Sequence, residues 1–198
     1  MSPLCGDLSA PSPEVALAAC CNLAYRRHLV EALAGNASVR LPDGFLCTPT
    51  GCCLGEVRPE DLVHLDVGWL AVRGRPSSEW RLHAHIYRAD PMVGSVLHTH
   101  SHWATACAVL GWDVEPLTPE IEHHLGRVPC LPYAPPGTDQ VGSSVAEAMA
   151  GGARAALLGR HGAVAWGRDI REAFAKAEVL EAACRLQCAL AGLRGGET

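Results

Sequence analysis

His98 and His100, separated by Thr99, are the side chains in this sequence best spaced to hold a metal ion. They fall in the apolar run Val96-Leu97-His98-Thr99-His100, which reads as a strand. Side chains alternate across a strand, so the two imidazoles point to one face, roughly 6–7 Å apart along it. Neutral imidazole suits Zn²⁺, Fe²⁺ or Mn²⁺. Without a third ligand the same pair would be two ordinary core or surface histidines. His161, followed by Gly162 in a tight turn, is the candidate for that third place; its plain alternative is a turn residue beside a glycine. Three protein ligands with one open position make a catalytic metal site rather than a structural one. His83 and His85 lie two apart on a helix and cannot face one ion together. His102 starts the next helix and reads as structural, and His28 and His64 carry no pattern.

A carboxylate stands ready for acid–base work in Pro76-Ser77-Ser78-Glu79. As ordinary helix-start chemistry, Ser78 is the N-cap and Glu79 favours the positive end of the helix. As functional chemistry, two hydroxyls at a helix N-terminus bind anions, and a carboxylate near a metal can move a proton. Gly35-Asn36-Ala37-Ser38 and Thr48-Pro49-Thr50-Gly51 are two further turns whose N–H, hydroxyl and amide groups are the usual donors to phosphate. Each alone is also an ordinary turn.

The elements that must position these groups follow from the pattern. Ser12, Pro13 and Gly35 predict a capped helix over 13–34. Strands are expected at 37–41 and 45–47 around Pro42-Asp43-Gly44, and at 62–66 and 69–72 turning at Val67-Gly68. A helix is expected over 79–88, a strand over 94–100 and a helix over 102–110 stopped by Gly111. The segment 114–127, rich in Pro, Glu and His, receives no assignment. A strand at 128–131 and a helix to Met149 capped by Thr138 come next. Short strands at 155–158 and 163–166 then flank the Arg160-His161-Gly162 turn, and a helix capped by Asp169 covers 169–193. Short strands alternating with helices imply a mixed sheet with helices on its faces, and no domain boundary is visible within 1–198.

Composition narrows the function. The hydrophobic share of 48% builds a core, and a net charge of −5 without a basic patch argues against a nucleic-acid surface. A few pocket donors still bind a small anion on an acidic protein. The ten cysteines include the adjacent pairs Cys20-Cys21 and Cys52-Cys53 and contain no C-x-x-C spacing. No basic start or apolar run marks Met1–Ala10 as a leader, so the thiols read as reduced in a cytoplasmic protein. No stretch is apolar enough to span a membrane.

Taken in order, Gly35-Asn36-Ala37-Ser38-Val39-Arg40, Thr48-Pro49-Thr50-Gly51, Pro76-Ser77-Ser78-Glu79-Trp80-Arg81, His98-Thr99-His100 and His161-Gly162 resemble the class II aldolase/adducin family over about residues 18–190. The Pro76 to Arg81 run is most similar to the L-fuculose-phosphate aldolases of that family. The resemblance implies an α/β single domain with a central, mostly antiparallel sheet covered by helices. It implies zinc held by His98, His100 and His161, with Mn²⁺, Fe²⁺ or Co²⁺ as other divalent ions. It makes Glu79 the acid/base and places a substrate phosphate on Gly35, Asn36, Thr50, Gly51, Ser77 and Ser78. Members commonly form fourfold tetramers, so a homotetramer is implied. The implied reaction is cleavage of a small phosphorylated sugar, a ketose 1-phosphate, to dihydroxyacetone phosphate and an aldehyde through a metal-stabilised enediolate.

The sequence also departs from the aldolase pattern. The family's aldolases often use a tyrosine in the segment after the H-x-H helix; here residues 114–127 contain none and carry Glu120, Glu122, His123 and His124 instead. Arg160 stands where many members have Asn. Other readings implied by the resemblance are therefore a methylthioribulose-1-phosphate dehydratase-like lyase with Glu122 catalytic, a sugar-acid-phosphate decarboxylase or an epimerase. A non-catalytic adducin-like binding module is the remaining one.

Overall fold

The computed structural model describes residues 11–195. Met1–Ala10, read above as carrying no leader, lies outside the described residues. Seven strands form one sheet: β1 (Asn36–Leu41), β2 (Gly44–Cys47), β3 (Val63–Asp66), β4 (Ser95–Thr99), β5 (Cys130–Leu131), β6 (Ala155–Leu158) and β7 (Gly162–Gly167). Their order across the sheet is β3-β2-β1-β4-β7-β6-β5, antiparallel throughout except for the parallel β5–β6 edge pair. Among the described residues the α-helices are α1 (Pro13–Arg26), α2 (Trp80–Ala89), α3 (His102–Leu110), α4 (Pro119–His124), α5 (Asp139–Ala150) and α6 (Ile170–Gly195), with a short 3-10 turn at Pro59–Asp61.

Strand alternation divides the core in two. Leu46, Leu97, Leu157, Ala163 and Ala165 face the layer that contains residues of α1, α3, α4 and α6. Phe45, Leu65, Val96, Leu158, Val164 and Trp166 face the other way, toward α2 and α5. Apolar residues on both faces of the strands are what a sheet covered on both sides requires.

Several elements differ from the sequence expectation. The first helix ends at Arg26, because the chain turns through His28 (φ 57) and sends both Leu29 and Val30 into the core. Residues 69–72 do not form a strand. The Asp66 carboxylate accepts from the Gly68 and Leu70 N–H groups, Trp69 takes φ 65, and only a single Leu65–Ala71 bridge forms. The unassigned segment contains α4, begun by Thr118, whose hydroxyl accepts from Ile121 N–H, and by Pro119 in the first turn. Thr138 does precede α5, but its hydroxyl donates to Pro135 instead of capping the helix. Ser12 and Asp169 cap as expected, on Val15 and Glu172.

The central β4–β7 pair needs a glycine where β7 begins. A Cβ on Gly162 would lie 2.4 Å from the Thr99 carbonyl oxygen and 3.1 Å from the His100 ring. Gly51, by contrast, has φ +70 but open space around it. Gly162→Ala is expected to cost roughly 1–3 kcal/mol by forcing these strands apart, lowering the melting temperature by about 2–4 °C per kcal/mol in a chain of this size. Thermal unfolding followed by circular dichroism checks this, and an unchanged midpoint would show that the pair can open freely.

Candidate active site

The end of β4 and the start of β7 lie side by side, with His98 paired to Val164 and Thr99 to Ala163. On β4, His98 shares the α2 and α5 face with Val96. His100 follows the strand, and His161 sits in the β6–β7 turn next to Arg160 (φ 58). All three rings converge: their centroids lie 4.7 to 4.8 Å apart, and the His98 and His100 Nε2 atoms approach to 2.9 Å.

Glu79 completes the cluster. It stands at the N-cap of α2, but its side chain makes no capping bond. Ser78 is therefore not the N-cap, while Glu79 does stand at the positive end of the helix. The first turn is held instead by Ser77, whose hydroxyl accepts from Glu79 N–H. The Glu79 carboxylate turns inward, with Oε2 2.9 Å from His98 Nε2 and Oε1 3.5 Å from His161 Nε2. The residue is 7% exposed, and Oε1 is buried with no hydrogen-bond partner.

Four potential ligand atoms from Glu79, His98, His100 and His161 lie within 4.8 Å of one another. A divalent ion fits this set. Crowding three imidazoles without water is costly unless something binds their lone pairs, and an orphaned carboxylate oxygen lacks a donor of its own. His98 donates Nδ1–H to the Ala163 carbonyl at 2.9 Å, which leaves Nε2 to face the ion; burial lowers the proton affinity of this ring, but the Glu79 carboxylate beside it raises it above the ordinary value. Burial and the charge on His98 hold His100 down at about 3 and His161 at about 4. Both rings are therefore unprotonated at neutral pH. Burial opposes ionisation of Glu79, yet the charge and hydrogen bond of His98, the charge on His161 and the Asn36 amide hold its carboxyl well below the usual range.

The three loops with phosphate-type donors meet beside Glu79. Thr48 ties two of them: its hydroxyl accepts from Ala37 N–H and its N–H donates to Ala37 carbonyl. Residues 48–50 pair with 75–77 through Ser77 N–H to Thr48 and Thr50 N–H to Arg75. Thr50, Gly51 and Ser78 are exposed, while Ser77 is buried. Gly35 (φ +75) leaves room for the His98 carbonyl, 2.8 Å from where its Cβ would stand. Asn36 is buried, with its Oδ1 on His83 Nε2 and its Nδ2 on Glu79 Oε2.

Glu122 is not in this cluster. It is exposed on α4, whose Ile121 and the following Leu125 pack in the core layer on the opposite face of the sheet. Its neighbours His123 and His124 border Trp166, Gly167 and Arg168, at the far end of β7 and about 20 Å along the strand from His161. Neither His102 nor His85 joins the site: they pair with Glu31 and Asp139. His83 was missed by setting it aside together with His85. The available signal was the spacing Glu79, His83, Tyr87, which is one face of a helix.

The family model for the class II aldolase and adducin N-terminal domain matches residues 15–188. The chain belongs to the class II aldolase and adducin family. Among curated members, the L-fuculose phosphate aldolase of Methanococcus vannielii is 36% identical over 166 residues, covering 84% of this chain and 90% of that protein. The 3-oxo-tetronate 4-phosphate decarboxylase of Escherichia coli is 39% identical over 170 residues, covering 82% and 79%. The L-fuculose-1-phosphate aldolase structure from Thermus thermophilus superposes with a TM-score of 0.86 at 29% identity, covering 95% of this chain and 99% of that one. The class II aldolase fold expected from the motifs is thus the fold observed, and the chain is an enzyme of the family's metal-dependent lyase class.

Because four donors converge on one point, purified protein is expected to bind about one divalent ion per chain. His161→Ala should lose most of that metal while keeping its circular dichroism spectrum. Elemental analysis after gel filtration measures both proteins, and full metal retention in the variant would remove His161 from the ligand set.

Proposed function

We propose that this chain is a zinc-preferring aldolase that cleaves a ketose 1-phosphate into dihydroxyacetone phosphate and an aldehyde. The observation that carries the reading is Glu79: a buried carboxylate with one unpartnered oxygen, facing three convergent imidazoles beside three donor-rich loops. In this reading His98, His100 and His161 would hold the ion, which supplies Lewis acidity for the negative charge that develops on substrate oxygens. Thr50, Gly51, Ser77, Ser78, Gly35 and the remaining Asn36 N–H hold the phosphate. When the C–C bond breaks, its electron pair moves toward the ketone oxygen; Glu79 would first accept the proton of the substrate hydroxyl next to the ketone and then deliver a proton to the carbon left behind. The similarity to L-fuculose phosphate aldolases and the Pro76 to Arg81 motif support this reading.

Aldol cleavage also requires a group that takes the proton of the substrate hydroxyl as the aldehyde forms. Glu122, His123 and His124 lie across the sheet from their own metal site, so they serve this role only from a neighbouring chain. The proposal accordingly includes a homotetramer with shared sites, working in the cytoplasm.

A second reading has its own support. Decarboxylation of a phosphorylated 3-oxo sugar acid leaves the same kind of carbanion and needs no hydroxyl proton removed. The absence of tyrosine from residues 114–127 and the 39% identity to a 3-oxo-tetronate 4-phosphate decarboxylase favour it.

Product analysis by NMR, with a panel of ketose 1-phosphates and with 3-oxo-tetronate 4-phosphate, separates the readings. Dihydroxyacetone phosphate plus an aldehyde is the expected result; carbon dioxide release from the oxo acid alone would replace aldol cleavage by decarboxylation. Under either chemistry Glu79→Gln should retain its metal and lose about 10²–10⁴-fold in turnover. A variant with full turnover would remove Glu79 from the reaction.

A further inference from the structure

Behind Glu79 lies a row of buried polar side chains, two of which, Asn36 and Ser38, come from a phosphate-donor turn and one of which, Asn36, reaches Glu79. Tyr87 Oη is 2.7 Å from Ser38 Oγ, and Ser38 Oγ is 2.6 Å from His83 Nδ1. His83 Nε2 is 2.6 Å from Asn36 Oδ1, and Asn36 Nδ2 is 3.2 Å from Glu79 Oε2. Asn36, Ser38, His83 and Tyr87 are each at most 4% exposed.

The direction of every bond follows from its chemistry. The Glu79 carboxylate only accepts, so Asn36 presents its amide N–H there and its carbonyl oxygen to His83. That oxygen also only accepts, so His83 carries its proton on Nε2. Its Nδ1 is then an acceptor, and Ser38 must donate to it. Tyr87 in turn donates to Ser38. Burial first, and the charge on His98 second, hold the His83 imidazole at about 3, so the ring is neutral and the direction does not reverse.

We infer that Tyr87, Ser38, His83 and Asn36 form a one-way hydrogen-bond chain that grips Glu79 by Oε2 and so reserves Oε1 for the travelling proton. His83 is the centre of this chain and a positioning residue. Its consequence for turnover rests on the role proposed for Glu79, whereas its geometry does not. Four geometric facts support it: the matched distances, the complete burial, the single consistent set of donors, and the lack of any partner on Oε1. A chain serving stability alone would have no reason to end on one oxygen of a carboxylate and leave the other without a hydrogen bond, facing only the His161 ring at 3.5 Å.

Two measurements test it. In the metal-free protein, a long-range ¹⁵N–¹H correlation spectrum should show His83 as the neutral Nε2–H tautomer from weakly acidic to weakly basic pH. An Nδ1–H tautomer or an imidazolium there would overturn the chain, whatever Glu79 does in catalysis. In the metal-loaded protein, His83→Phe should lower kcat roughly 10–100-fold, the scale of a residue that orients a functional group, with KM and metal content unchanged. His83→Gln, which keeps a donor toward Asn36 and an acceptor for Ser38, should recover most of that loss. Unchanged kcat in His83→Phe, or a loss matched by lost metal or raised KM, would overturn the positioning role. Should His83→Phe fail to fold, Ser38→Ala replaces it. There the expected result is an unchanged Nε2–H tautomer, still set by Asn36, with lowered kcat at constant KM and metal content, and full kcat would overturn the positioning role. Full turnover in Glu79→Gln, with the His83 tautomer as expected, would sink the proposed function and leave the chain standing.

Discussion

A carboxylate inside a protein must be met by donors or it forces its surroundings open. Glu79 is that carboxylate here, and much of the molecule is arranged around it. Its helix begins just after Ser77, whose hydroxyl accepts from the Glu79 N–H, and the Glu79 side chain, free of any capping bond, turns inward. Its Oε2 is approached by His98 from β4 and Asn36 from β1. The turn that opens β7 brings His161 to its other oxygen. Three strands and one helix thus end their polar business at one side chain.

That convergence depends on two periods that match. Along β1, residues two apart face α2, so Asn36, Ser38 and Arg40 form a row with steps of roughly 6–7 Å. Along α2, residues four apart share a face, so Glu79, His83 and Tyr87 form a row with steps of about 6 Å. Laid against each other, the rows interlock: Asn36 bridges Glu79 and His83, and Ser38 bridges His83 and Tyr87. Arg40 closes the far end by donating to the Tyr87, Asp90 and Val93 carbonyls at the end of α2 and just beyond it. Each bond is worth only about 1 kcal/mol net, but leaving any one partner bare in so dry a layer costs more than that. The row therefore selects one register of helix on sheet.

How much of this could be read beforehand depended on the range of each interaction. The H-x-H pair, the His161-Gly162 turn and the order of the motifs are local, and they placed the fold and the convergent histidines. The two periodic rows were also present as Asn36, Ser38, Arg40 and Glu79, His83, Tyr87, but a row carries meaning only when the opposing element is known. Glu79 read equally well as a helix-start residue, because local sequence cannot say that Ser77 would do the capping. The segment with Glu122, His123 and His124 was hard to place for the opposite reason. Its composition suggested chemistry, while Ile121 and Leu125 decided the outcome by burying α4 against the other face of the sheet.

The reaction branch turns on the same economy of groups. Breaking a C–C bond next to a ketone leaves electrons that need a sink and a carbon that needs a proton; in the proposed reading an ion held by the histidine cluster would supply the first and Glu79 the second, within one chain. Aldol cleavage adds a third need, because a hydroxyl must lose its proton as the aldehyde forms. Among the described residues, none beyond Glu79, His98, His100 and His161 joins that cluster. Under the proposed roles, a chain with this site would be complete for decarboxylation as a single unit, and for aldol cleavage only with a residue lent by a second copy. Dilution distinguishes the two without any variant. Turnover that falls as an oligomer dissociates, with each separated chain still metal-loaded, is the signature of cleavage with a borrowed proton acceptor; turnover independent of assembly is the signature of a site that needs only its own Glu79.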